Sequence, residues 1–207
     1  MKVNIAILNQ GSIHSELSKA LSQIILDSHG HEIILVHSQI MIVDNNRNTI
    51  VKRFLENDFD YLLMIDDDTV PEKNPLELID LDKDIISCPV PMFKKELGGI
   101  YFAQFKKDKN NNYITANYNS KDKLEQIDAG GTGCMLIKRK VLEEIKRPFE
   151  SIWDEKYGTR IRGSDILFCE KAKKAGFKIW THWDYICSHY KTLNLLDILD
   201  LYTRKSS

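Results

Sequence analysis

Residues 61–68, "YLLMIDDD", set an apolar run directly against three aspartates. Five apolar residues in succession suit a strand buried on both faces. Three ionised carboxylates do not suit burial without partners. The chain must leave its core at Asp66, so the strand ends at the rim of a sheet with acidic side chains facing outward. One aspartate before "TVPEKN" would serve to cap a turn. Three in succession exceed that need and ask for a cationic partner.

The flanking sequence supplies the sheet. "VNIAIL" and "EIILV" read as strands before it and "DIISCPV" as one after it. Between them, Leu17, Leu21, Ile24 and Ile25 recur at helical spacing and stop at Gly30. "DNNRNTIVKRFLE" offers Asp44, Asn45 or Asn46 as a cap, with Ile50, Val51, Phe54 and Leu55 as one apolar face. "NPLELIDL" reads as a short helix. Strands alternating with helices predict an α/β fold with a mostly parallel central sheet and helices on both faces. Ligands of such sheets gather at the C-terminal strand ends, where the aspartates lie.

The second half changes character. "GIYFAQFKKDKNNNYITANY" predicts a β-hairpin. "IDAGGTGCMLIKRKVLEEI" predicts a glycine-rich loop, a short strand and a helix. "RPFESIWDEKYGTRIRG" reads as a long loop, and "SDILFCEKAKKAG" as a helix capped by Ser164 and stopped at Gly176. "FKIWTHWDYICSHY" reads as strand, break, strand. In "LNLLDILDLYTRKSS", Leu195, Leu196, Leu199 and Tyr202 share one helix face, expected to dock on the sheet, with a homodimer contact as the alternative. One domain over 1–207 is expected, with a nucleotide-binding half (1–91), an acceptor half (92–191) and a terminal helix and tail (192–207).

The 207 residues are 43% hydrophobic and carry a net charge of −1, so no basic field recruits nucleic acid or an acidic membrane. No run is long enough for a transmembrane segment, and a cytoplasmic protein is expected. The cysteines at 88, 134, 169 and 187 form no CxxC pair, so reduced buried thiols are expected rather than a zinc site.

Three chemistries are to be weighed for the acidic cluster. A calcium loop is excluded, because Val70 and Pro71 stand where an oxygen ligand and a glycine are required. "DDDTV" fits the DxDxV pattern of a phosphohydrolase with Asp66 as nucleophile, but that motif normally ends a first strand, and here it follows two strand–helix units. A divalent cation bridging a nucleotide diphosphate suits a strand-end aspartate pair best. The absence of GxGxxG after the first strand argues against a dinucleotide site.

Taken in order, the motifs resemble those of GT-A fold glycosyltransferases, family-2-like, of phage or bacterial type. "YLLMIDDDTVP" resembles the DxD motif, "DNNRNTIVKRFLE" an RN helix, "IDAGGTGCMLIKRKVLEEI" the acceptor-side glycine loop, "RGSDILFCEKAKKAGFKIW" the ED helix and "CSHY" the late histidine. The resemblance covers nearly the whole chain. It implies a three-layer GT-A architecture, a Mn²⁺ or Mg²⁺ cofactor, and transfer from a nucleotide-sugar donor, a UDP-sugar above all. The acceptor would be a sugar, glycan or other hydroxyl compound; a nucleic acid acceptor is imaginable but not indicated.

It also implies roles. Asp68, His189 and Asp66 would hold the metal. Asp66, Asp67, Arg47, Asn48, Asn9 and Gln10 would line the donor site. Asp165 would be the base of an inverting transfer. Asp128, Gly131, Gly133, Trp153 and Ser164 would face sugar or acceptor. Ser164 stands where the family usually carries Glu. A non-catalytic nucleotide-sugar-binding module is the remaining alternative.

Overall fold

A computed structural model describes residues 1–9, 11–38, 42–118 and 122–204. Gln10 and the tail beyond 204 lie outside the described residues, as does the Tyr202 side chain.

The first half builds β1 (Lys2–Leu8), α1 (Ser15–Leu26), β2 (Glu32–Ser38), α2 (Val43–Leu55), β3 (Tyr61–Asp66), β4 (Thr69–Pro71), a 3-10 helix (Pro75–Leu81) and β5 (Ile85–Ser87). The second half adds β6 (Pro91–Lys94), β7 (Gly99–Phe102), β8 (Gln104–Lys107), β9 (Tyr113–Thr115), β10 (Leu124–Ile127), β11 (Ala129–Gly130) and β12 (Cys134–Lys138). It continues with α3 (Arg139–Glu144), β13 (Ile152–Trp153), β14 (Arg160–Arg162), α4 (Ser164–Lys174), β15 (Ile179–His182), β16 (Cys187–His189) and α5 (Leu195–Arg204).

Seven strands form the central sheet in the order β10-β15-β5-β12-β3-β1-β2. β2, β1 and β3 pair in parallel, as do β5 and β15, while β12 runs antiparallel between β3 and β5, and β10 antiparallel to β15. The sheet is therefore mostly parallel.

Strand alternation sends side chains to two cores. Val3, Ile5, Ile7, Leu63 and Ile65 pack with Leu17, Leu21 and Ile24 of α1 and with the 3-10 helix. Ala6, Leu8, Leu62 and Met64 pack with Ile50 and Phe54 of α2, Val141 of α3 and Phe168 of α4. Each fully buried Val, Leu, Ile, Met or Phe side chain among them contributes about 1.5–3 kcal/mol.

Arg139 locks α2 in place. Its guanidinium donates to the carbonyls of Asn57 (2.6 Å), Phe59 (3.1 Å) and Leu55 (3.0 Å), closing the C-terminal end of the helix. Asn46 and Arg47, buried near the other end, are thereby held at the sheet rim.

Several local expectations differ. α2 starts at Val43 with Ile42 before it, so none of Asp44, Asn45 and Asn46 caps it. The Asn46 side chain instead donates to the Ser38 carbonyl. Gly163, not Ser164, precedes the first turn of α4. Ile25 of α1 is exposed. The loop at 147–163 contains the β13–β14 hairpin. The hairpin at 99–118 is interrupted at Ala103, because its first segment pairs with β6 before β8 pairs with β9.

α5 does not dock on the sheet. Leu195, Leu196 and Leu199 are exposed, and the helix meets the turn at Lys95–Leu97 through a Lys95–Asp197 ion pair. Trp180 is half-buried under Lys83, while Trp183 is the fully buried indole and donates to Glu125. Among the described residues, no helix is long and apolar enough to cross a membrane.

Candidate functional site

A cavity of about 260 Å³ opens at the C-terminal ends of β1 and β3. Its walls include Asn9, Asn46, Arg47, Asp66, Asp67, Asp68, Gly131, Gly133, Asp165 and His189. These come from six stretches of chain that only the fold brings together.

The acidic turn is pinned by its backbone. Asp66 N donates to the Gly133 carbonyl (2.9 Å), Asp67 N to Leu8 (3.0 Å), and the Asp67 carbonyl accepts from His14 N (2.9 Å). Tyr190 N donates to the Asp68 carbonyl (2.9 Å), which ties β16 to the same turn. These bonds fix the turn, and all three aspartates line the cavity.

The three aspartates have different environments. Burial raises the Asp66 pKa, Arg47 opposes that rise, and Asp68, Asp67 and Asp165 add to it. Burial also pushes Asp68 upward, but hydrogen bonds from His189 and Lys191 outweigh it and hold the carboxyl at about 2. The Lys191 ammonium contacts one Asp68 oxygen, and His189 Nε2 lies 3.3 Å from the other. The Asp68 bond raises the His189 pKa against the effect of burial.

The histidine is also oriented. Its Nδ1 lies 2.8 Å from the Pro91 carbonyl, to which it donates, so Nε2 points at Asp68. Two donors on one cation at right angles, with bonds of about 2.1 Å, lie about 3 Å apart. The Asp68–His189 pair therefore fits a divalent cation. Asp66 does not complete a third donor. Among the described residues, the only three His, Cys, Asp or Glu ligand atoms within 4.8 Å of one another belong to cysteines. A cation here would take two protein donors and fill its shell from phosphate and water.

Arg47 is 8% exposed and donates to the Ser164 hydroxyl at 2.9 Å. Three buried polar atoms of the cavity walls, Arg47 Nε, Asn46 Oδ1 and Thr132 Oγ1, have no hydrogen-bond partner among the described residues. Such atoms are costly unless a ligand or water meets them. Asp165 lies in the first turn of α4 and shares this cavity.

The glycine loop sets the opposite wall. Ser87 Oγ donates to Gly131 O (2.7 Å), and Gln104 donates to Ser87 Oγ (3.1 Å). A Cβ at Gly133 would stand 3.2 Å from Thr69 Oγ1 and 3.6 Å from an Asp66 carboxyl oxygen. Glycine there keeps the space beside the carboxylate open.

Other expected site residues lie elsewhere. Asn48 faces Phe149, donating to its carbonyl (2.5 Å) and accepting from its N–H (3.1 Å). Asp128 accepts from Lys107 N and pairs with Lys173. Trp153 is exposed on the β13–β14 hairpin. Ser164 is a cavity neighbour rather than a wall, because its hydroxyl is engaged by Arg47. Lys191, Asn46 and Thr132 were not expected. Lys191 carried one sequence signal, its place two residues after His189.

No family model and no curated sequence matches this chain. Solved structures do. The protein A197 from STIV superposes with a TM-score of 0.63 at 21% identity, covering 93% of this chain and 87% of its own. GalNAc-T7, crystallised with UDP, GalNAc and Mn²⁺, superposes with a TM-score of 0.56 at 11% identity over 94% of this chain. This chain spans 44% of the GalNAc-T7 chain. At these identities the likeness concerns architecture, and the chain has a GT-A-like fold.

Proposed function

We propose that this protein transfers a glycosyl group from a nucleoside-diphosphate sugar to an acceptor hydroxyl, with a divalent cation at Asp68 and His189. The observation that carries this reading is the convergence of Asp68, His189, Arg47 and Asp165 on one cavity at the strand ends. The GT-A-like fold supports it, and the UDP and Mn²⁺ bound by GalNAc-T7 favour a UDP-sugar and manganese over other pairs.

When bound, the cation neutralises charge that develops on the departing diphosphate. Arg47 and Lys191 both line this cavity, and their cationic side chains would meet the phosphate oxygens of the donor. Asp165 takes the acceptor proton as the acceptor oxygen bonds to the anomeric carbon and the carbon–diphosphate bond breaks, giving inversion. Gly131 and Gly133 let the sugar approach the backbone.

The phosphohydrolase reading asks Asp68 to donate a proton to a leaving group. A carboxyl held at about 2 by two cationic neighbours is a poor proton donor at neutral pH.

Release of UDP from a panel of UDP-sugars, with Mn²⁺ and with a chelator, tests the assignment. Release should require metal and vanish in Asp68→Ala. Metal-dependent release that survives unchanged in Asp68→Ala overturns it.

A further inference from the structure

Behind the candidate site, three thiols meet. Cys88, Cys134 and Cys187 are each at most 1% exposed, and their sulfur atoms all lie within 4.8 Å of one another. They are 46 or more residues apart in sequence, which is why spacing gave no sign of them. The fold holds each one firmly. Cys88 N donates to the Cys134 carbonyl at 2.9 Å, directly after the β5–β12 pairing. Cys187 N donates to the Pro89 carbonyl at 2.9 Å, which lays β16 over the same point.

We propose that these three cysteines form a site for a thiophilic d¹⁰ cation such as Zn²⁺, Cd²⁺ or Cu⁺. Sulfur ligands on a tetrahedral cation, with bonds of about 2.3 Å, lie about 3.8 Å apart. The thiols therefore need to close by at most about 1 Å. Soft sulfur donors select such cations and reject Mn²⁺ and Mg²⁺, which go to oxygen. A divalent cation replaces at least two thiol protons, which leave to solvent, so the buried site keeps no net positive charge.

The site would brace the floor of the candidate cavity. Cys134 follows Gly133, whose carbonyl holds Asp66 N. Cys187 shares β16 with His189. Cys169 is a built-in control: it is a fourth buried thiol, standing apart, with its sulfur 3.7 Å from the Gly130 carbonyl.

The test is a Cd²⁺ titration of the reduced full chain, read by the ultraviolet sulfur-to-cadmium charge-transfer band. One equivalent should saturate the band, and excess Mn²⁺ should not displace it. Cys169→Ser should leave the titration unchanged. Cys187→Ser and Cys88→Ser should each weaken cadmium binding at least about 100-fold, with circular dichroism reporting that each variant is folded. Should one serine variant unfold, the other and the wild-type stoichiometry still decide. The absence of a band in the wild type, or its persistence at full affinity in either folded serine variant, overturns the proposal. None of these readouts depends on glycosyl transfer.

Discussion

Arg47 Nη1 donates to Ser164 Oγ at 2.9 Å, joining α2 to the first turn of α4 across 117 residues of chain. The bond is buried at both ends, and Arg47 is also the cation that opposes the rise in the Asp66 pKa. A Glu at 164 would meet Arg47 as an ion pair. Serine meets it as a neutral acceptor and leaves more of the guanidinium's charge for Asp66 and a ligand.

Removing that acceptor strands a buried charge donor. Ser164→Ala should cost about 1–3 kcal/mol of stability, because a guanidinium N–H loses its partner inside the protein. Ser164→Glu should retain the fold but draw Arg47 away from the cavity, weakening nucleotide binding. Urea midpoints and isothermal titration with UDP and Mn²⁺ measure the two effects separately. Ser164→Glu binding nucleotide more tightly than wild type would contradict this account of the serine.

The Asp68–His189 pair predicts a pH window for the metal-free protein. Asp68 has its folded pKa depressed from 3.8 to about 2, so its contribution is present above pH 3.8 and is lost as pH falls through 2. The shift corresponds to about 2 kcal/mol, which His189 shares with Lys191. His189 has its folded value raised from 6.5, so its contribution is present below pH 6.5 and is lost as pH rises through the raised value. The pair therefore stabilises most between about pH 4 and 6.5. Metal-free His189→Gln should lose this extra stability inside that window and approach wild type above it, in urea titrations across pH.

The glycine loop separates packing from chemistry. A Cβ at Gly130 would stand 2.5 Å from both Cβ and Oγ of Ser87, which is itself buried and hydrogen-bonded. Gly130→Ala should destabilise by about 1–3 kcal/mol through overpacking. Gly133→Ala meets contacts of 3.2 Å and more, so it should fold nearly as well as wild type and lose donor turnover instead. Paired thermal melts and UDP-release assays distinguish the two.

The sequence made the strand-end aspartates legible because strand and cluster are contiguous: the buried run of β3 admits one exit, and Asp66 is at it. The face of α2 was harder to read. Asn46, Arg47 and Asn48 are consecutive polar residues, and successive positions on a helix turn by about 100°. Two of them reach the cavity, and the third is carried round to Phe149. Asp128 looked like a sugar ligand from its place before three glycines, but Lys173, a helix away, claims it. The leucines of α5 predicted a docked helix from periodicity alone, which records an apolar face but not what covers it. Long-range partners such as Lys191 with Asp68, 123 residues apart, leave no local pattern to read.

Asp165 gives the sharpest test of mechanism. It shares the cavity with Asp66 and Asp68, yet it sits on α4, a different element from both proposed metal ligands. A base that accepts the acceptor proton acts in the transfer step and contributes little to donor binding. Asp165→Asn preserves the shape and removes the proton acceptor. It should leave the affinity for UDP with Mn²⁺ within about twofold of wild type and lower transfer by about 10²–10⁴-fold. Asp68→Ala should instead lose metal-dependent nucleotide binding itself. If Asp165→Asn transfers at the wild-type rate, the proton leaves by another route and the base must be sought elsewhere in the cavity.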